Sequence, residues 1–131
     1  MISVLPSKDK GEIESLFKKY SLDFNENSGC VIARCESEIL GYCLYFLDEK
    51  EMTILELEPK DDLFLADGIL RSAIHNAVCA NVIAVHYSEN SPEAIFEKLD
   101  FIADREEKKL DASKLYKSCS NCGSNQGANN S

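Results

Sequence analysis

The chain has 131 residues, 44% of them hydrophobic, which predicts one domain with a core built around a single sheet and no second domain. Its 23 acidic and 14 basic side chains give a net charge of -9, which disfavours binding to phosphate backbones or anionic lipid and favours a cationic substrate or partner. No apolar run approaches the roughly 20 residues of a membrane helix. Met1-Ile2-Ser3-Val4 lacks the basic region and apolar core of a secretion signal, so a cytoplasmic location is expected, with neither nucleic acid nor membrane as partner.

Ile2 to Leu5 alternates weakly and stops at Pro6, as an edge strand does. Ser7 or Asp9 can cap a helix through Tyr20, in which Ile13, Leu16, Phe17 and Tyr20 recur on one face. After a turn at 25–29, Cys30 to Cys35 and Ile39 to Leu47 read as paired strands, and Met52 to Glu58 as a third strand of an antiparallel meander. Strict alternation in that third strand puts Ile54, Glu56 and Glu58 on one face and Thr53, Leu55 and Leu57 on the other. Pro59 ends it, and Asp61-Asp62 opens a long helix to Ala80 with Leu63, Ala66, Leu70, Ala73, Ile74 and Ala77 on its buried side. Asn81 stops that helix, Val82 to Val85 reads as a buried strand including Ile83, Pro92 to Leu99 as a helix, and Phe101 starts a last strand with a charged stretch at 104–109. Asp111 to Ser113 could cap a final turn through Lys117. The order is strand, helix, three strands, helix, strand, helix, strand. A helix between two strands implies a parallel crossover, so the pattern predicts an α/β fold with a mixed sheet covered by helices.

Four of the six cysteines, Cys30, Cys35, Cys43 and Cys79, fall in apolar stretches and are expected to be buried thiols. Cys119 and Cys122 stand apart in a tail over 118–131 that is expected to be disordered. A Cys-x-x-Cys pair is half of a structural zinc site, and a homodimer could complete four-thiolate coordination from two tails. The same two thiols could form a redox pair.

The stretch Ala94-Ile95-Phe96-Glu97-Lys98-Leu99-Asp100-Phe101, following a strand and a Ser91-Pro92-Glu93 helix start, resembles the A-x-x-L-Y-E-K-L-G-F ending of the GNAT acyltransferases. The order of elements over residues 1–117 fits that fold. The resemblance implies transfer of an acyl group from acetyl-coenzyme A to a small-molecule amine, with the donor's pantetheine arm entering where the third meander strand splays from the strand after the long helix. It places Leu57, Lys60, Leu63, Phe64, Leu65, Ala66 and Phe96 around the donor. It also offers Glu56 or Glu58 as the base that takes a proton from the amine.

The chain departs from the family's pattern at two places where the family keeps its chemistry, the pyrophosphate turn and the acid. The Q/R-x-x-G-x-G/A sequence that cradles a pyrophosphate aligns with Asp61 to Ala66, with Phe64 at the first glycine and Asp61 at the basic or amide position. Carboxylates at a helix start each stabilise it by about 0.3 to 1 kcal/mol. A pyrophosphate within about 5 Å of them meets repulsion of roughly 1 kcal/mol per charge pair in water. The family's tyrosine, the acid that protonates the departing thiolate, is Phe96 here, leaving Tyr87 or Ser88 as the nearest donor by sequence. His86, beside them, reads as a structural histidine or as a base. Two readings stay open: an N-acyltransferase acting on a small or cationic amine, or a non-catalytic binding or interaction module of the same fold whose Phe64 fills the turn.

Overall fold

The computed structural model describes residues 2–89 and 91–113, in which seven strands and three helices alternate. In chain order they are β1 (Ile2–Pro6), α1 (Lys10–Lys19), β2 (Ser28–Cys35), β3 (Glu38–Leu47), β4 (Glu51–Glu58), α2 (Leu63–Cys79), β5 (Ala84–Tyr87), α3 (Glu93–Lys98), β6 (Ile102–Asp104) and β7 (Lys109–Leu110). The strands form one sheet in the order β1-β2-β3-β4-β5-β7-β6, antiparallel throughout except that β4 and β5 run parallel across the α2 crossover. The predicted meander, crossover and edge strand are all present. The single last strand is instead a hairpin: the chain reverses after Asp104, with Lys108 left-handed, and β7 inserts between β5 and β6.

Each face of the sheet has its own apolar layer. Val31, Cys43, Met52, Ile54, Leu57 and Val85 pack under Ala66, Ile69, Leu70, Ala73 and Ile74 of α2, with Phe96 and Phe101 closing the α3 end. Cys30, Ile32, Leu44 and Leu55 pack on the other face under Ile13 and Phe17 of α1. Asp9 is the N-cap of α1, accepting the Glu12 N–H, and Glu12 in turn pairs with Arg34 of β2 and fastens the helix to the sheet.

All three helices end the same way without a glycine. Ser21, Asn81 and Asp100 take left-handed conformations just past the caps, with φ of 56°, 65° and 61°. Their N–H groups, and those of Leu22, Val82 and Phe101, return to carbonyls of the last turn, and the three apolar residues fold back onto the helix. This stop corrects one expectation. Val82 is buried, but the strand begins only at Ala84, so Ile83 precedes the ladder and is 74% exposed. Of the four cysteines expected to be buried, Cys30 and Cys43 are, Cys35 is half-buried, and Cys79 is exposed on the last turn of α2 with its Sγ 3.3 Å from His75 Nε2.

Candidate functional site: the open half of β4

β4 does not alternate as the sequence suggests. Tyr45 pairs with Ile54 and Leu44 with Glu56, leaving Leu55 as an extra residue, a bulge. Ile54 therefore faces α2 with Met52 and Leu57, while Leu55 faces α1. Glu56 and Glu58, opposite Leu44 and Tyr42, share that α1 face, so Ile54 is not on the glutamate face.

The bulge also decides which edge carries free backbone groups. β5 pairs with Glu51 to Ile54 only, and the last bond of that ladder runs from the Ser88 N–H to the Ile54 carbonyl. Beyond it β4 has no strand on that side among the described residues. With one residue inserted, Leu57 presents its N–H to the open edge, where the N–H donates to Glu56 Oε1 at 3.0 Å. A side chain thus stands where a neighbouring strand, or an extended ligand, would place a carbonyl.

The two glutamates share one cation. Lys60 Nζ lies 3.1 Å from Glu56 Oε1 and 2.6 Å from Glu58 Oε2. The Glu56 side chain is 12% exposed and that of Lys60 47%. Partial burial pulls the Lys60 pKa down, but its bonds to Glu58 and Glu56 outweigh this and hold it above the ordinary lysine value. Glu58 also accepts from the Tyr20 hydroxyl at 3.3 Å; that hydroxyl is 2.5 Å from the Tyr42 hydroxyl, to which Lys19 donates at 3.3 Å. Burial, then the Tyr42 bond and the nearby carboxylates, push the Tyr20 pKa far up, so it stays protonated. Tyr20, Tyr42 and Lys19 were not legible as site residues. Tyr20 reads as part of the apolar stripe of α1 and Tyr42 as part of a strand, although a part-buried tyrosine needs a hydroxyl partner, and that was the available signal.

The other expected residues lie elsewhere. Tyr87 sits on the α2 face beside Ile54, with its hydroxyl donating to Glu93 Oε2 at 2.6 Å, and Arg105 bridges Glu93 and Glu97. Burial, then the Glu93 bond, push its pKa up to about 12. Phe96 is fully buried with its ring 5.1 Å from that of Tyr87. Tyr87 and the glutamates therefore occupy opposite faces of the sheet. His86 pairs with Thr53, its Nδ1 3.4 Å from Glu51 Oε1 at the closed end of β4.

At the turn, Asp62 is the N-cap of α2, accepting the Leu65 N–H on its side chain and the Ala66 N–H on its carbonyl. The first-turn N–H groups of Leu63 and Phe64 have no intrahelical partner. Ala66 is buried, and Phe64 is 93% exposed, so it does not fill the turn. A cavity of about 640 Å³ lies beside this turn, walled by Val4, Leu40, Phe64 and Leu65 with Asp61 and Asp62, and takes no wall from β5 or from Glu56 to Glu58. Gly41 lets β3 approach the turn: a Cβ there would lie 2.5 Å from the Glu58 carbonyl and 2.8 Å from Ile69 Cδ1.

For an acyl-coenzyme A the two parts of the site answer differently. The open β4 edge suits an extended arm carrying amide and thioester carbonyls, because it offers a donor aimed away from β3. The turn offers two N–H groups between carboxylates, with no glycine, and its one lysine is engaged by Glu56 and Glu58. Among the described residues no cluster of three or more His, Cys, Asp or Glu side chains could hold a metal ion; Cys119 and Cys122 lie outside the described residues. No helix among the described residues is long and apolar enough to cross a membrane.

No family model matches the chain, and no curated protein matches it by sequence. Solved structures do resemble it. YhhK of E. coli, described as a candidate N-acetyltransferase and determined with coenzyme A bound, superposes with a TM-score of 0.60 at 13% identity, over 85% of this chain and 98% of its own. A GNAT-family acetyltransferase of Streptococcus pneumoniae gives 0.51 at 12% identity, over 78% and 88%. A ribosomal-protein-alanine N-acetyltransferase of Brucella melitensis gives 0.53 at 12% identity, over 79% and 92%. With its bulged β4 parted from β5 beyond Ile54, the chain has the fold of the GNAT N-acetyltransferases.

Proposed function

We propose that the chain is an acyl-coenzyme A-dependent N-acyltransferase whose acceptor is a small cationic amine. The observation that carries this reading is the open half of β4, where the Leu57 N–H and the Glu56 and Glu58 carboxylates meet at the point at which β5 departs. A donor N–H on that edge can hold an acyl oxygen as negative charge builds on it, and fixed backbone dipoles do this without reorganising. Glu56 and Glu58 attract an ammonium and can take its proton. Tyr20, bonded to Glu58 and protonated, orients that carboxylate. A protein of the same fold holds coenzyme A, which supports the same donor here.

A non-catalytic module of this fold is the second reading, favoured by Asp61 and Asp62 at the turn and by the absence of a hydroxyl at Phe96. Phe64 does not support it by plugging the turn, since its ring is exposed. Calorimetric titration with acetyl-coenzyme A and with desulfo-coenzyme A, at low and physiological salt, separates the two. Micromolar binding supports the enzyme. No heat and no thermal stabilisation at millimolar ligand would leave the fold without its donor.

A further inference from the structure

One oxygen links the open strand edge to an amine of the protein itself. Glu56 Oε1 accepts the Leu57 N–H at 3.0 Å and the Lys60 ammonium at 3.1 Å, so the two nitrogens are at most about 6 Å apart with a single oxygen between them. Glu56 Oε1 therefore marks where an acyl oxygen would lie if it displaced that carboxylate from the Leu57 N–H, with Glu58 Oε2 still 2.6 Å from Lys60 Nζ. A hydrogen bond of about 2.9 Å fixes that oxygen. The acyl carbon lies about 1.2 Å from that oxygen, so it is at most about 4.3 Å from the present position of Lys60 Nζ, against the approach of about 3 to 3.5 Å that amine attack needs. Lys60 Nζ already touches both carboxylates that could remove its proton, and its side chain is 47% exposed.

We propose that Lys60 is a self-acylation site, an amine of the protein that receives an acyl group from a thioester bound along the open edge of β4. The inference rests on the proposed function for its donor. In the step, a C–N bond forms between Lys60 Nζ and the acyl carbon and the C–S bond breaks. One ammonium proton passes to Glu56 or Glu58 and on to solvent, a second ends on the departing sulfur, and the products are an amide at Lys60 and a free thiol. The charge of Lys60 is lost, which leaves Glu56 and Glu58 without their internal cation.

The test incubates the full chain separately with acetyl-coenzyme A and with the acetyl thioester of N-acetylcysteamine, a donor with no nucleotide. Adducts are read by intact mass and peptide mapping, and acetyl-coenzyme A binding is measured by calorimetry in the same samples. The expected result is one acetyl group per chain at Lys60, absent in Lys60→Arg and formed about 100-fold more slowly in the Glu56→Gln/Glu58→Gln variant, as loss of a general base implies. Lys60→Arg keeps the cation beside the glutamates, and thermal melts check that both variants fold. Labelling by the small thioester alone upholds the site while acyl-coenzyme A fails as the donor. No adduct at Lys60 with either donor, or adducts scattered over many lysines at similar rates, overturns the proposal. Acetyl-coenzyme A binding in those samples would then leave the proposed function standing.

Discussion

Upstream of Leu55, β4 is held between β3 and β5; downstream of it, β3 is the only neighbouring strand among the described residues. The closed half carries Met52 and Ile54, both fully buried, and beside it the tilted rings of Tyr87 and Phe96 pack together at the α3 end. The open half carries Glu56, Glu58 and the Leu57 N–H, with Lys60 and Tyr20 around them. A single inserted residue separates the two. The bulge turns both glutamates to the face away from Tyr87, so stability on one half and polar chemistry on the other are built from eight consecutive residues.

Substitutions in the two halves should differ in kind. In the closed half, Phe96→Ala should cost about 3 to 5 kcal/mol by emptying a fully buried aromatic site. Urea unfolding measures it, and a loss below 1 kcal/mol would mean that α3 closes over the gap. In the open half, Glu56→Gln should lower turnover of a cationic amine by about 100-fold or more, with the unfolding midpoint and acetyl-coenzyme A affinity almost unchanged. Unchanged turnover would remove Glu56 from the reaction. Gly41→Ala should destabilise by about 2 kcal/mol, because the new Cβ runs into the backbone at Glu58 rather than into a flexible side-chain end. A neutral result would show that the turn can give way.

The smallest effect concerns pH. Tyr87→Phe should cost about 1 kcal/mol near neutrality by removing the bond to Glu93. Folding raises the Tyr87 pKa from 10.0 to about 12, so the folded state holds the proton more tightly. The associated stability is fully present below pH 10.0 and is lost as pH rises through about 12. The difference between wild type and Tyr87→Phe should therefore be constant up to pH 10.0 and shrink above it. Denaturant midpoints across that range measure it, and a gap that stays constant would place the Tyr87 hydroxyl outside the folded-state network.

The elements were largely legible because their signals are local. Apolar periodicity located α1, α2 and the meander, Asp62 capped the helix it was expected to open, and Asp100 holds the left-handed position where the resemblance expects glycine. The split of the last strand was not legible, since a two-residue strand such as β7 is defined by its partners and not by its own pattern. Ile83 misled for a related reason: hydrophobicity does not reveal where a helix stop ends and a ladder begins.

The candidate site divides the same way. By itself the sequence determined that Glu56 and Glu58 would share one face at the end of β4, because side chains alternate along a strand, while their contact with Lys60 came from the structure. It also determined that Phe96 could only pack, for want of a hydroxyl. Only the tertiary structure decided that Leu55 is bulged, since a bulge is a mismatch between two strands and leaves no mark on one. That mismatch set the face of the glutamates, turned the Leu57 N–H to the open edge, brought Tyr20 and Tyr42 from distant elements to Glu58, and left Tyr87 on the far side of the sheet.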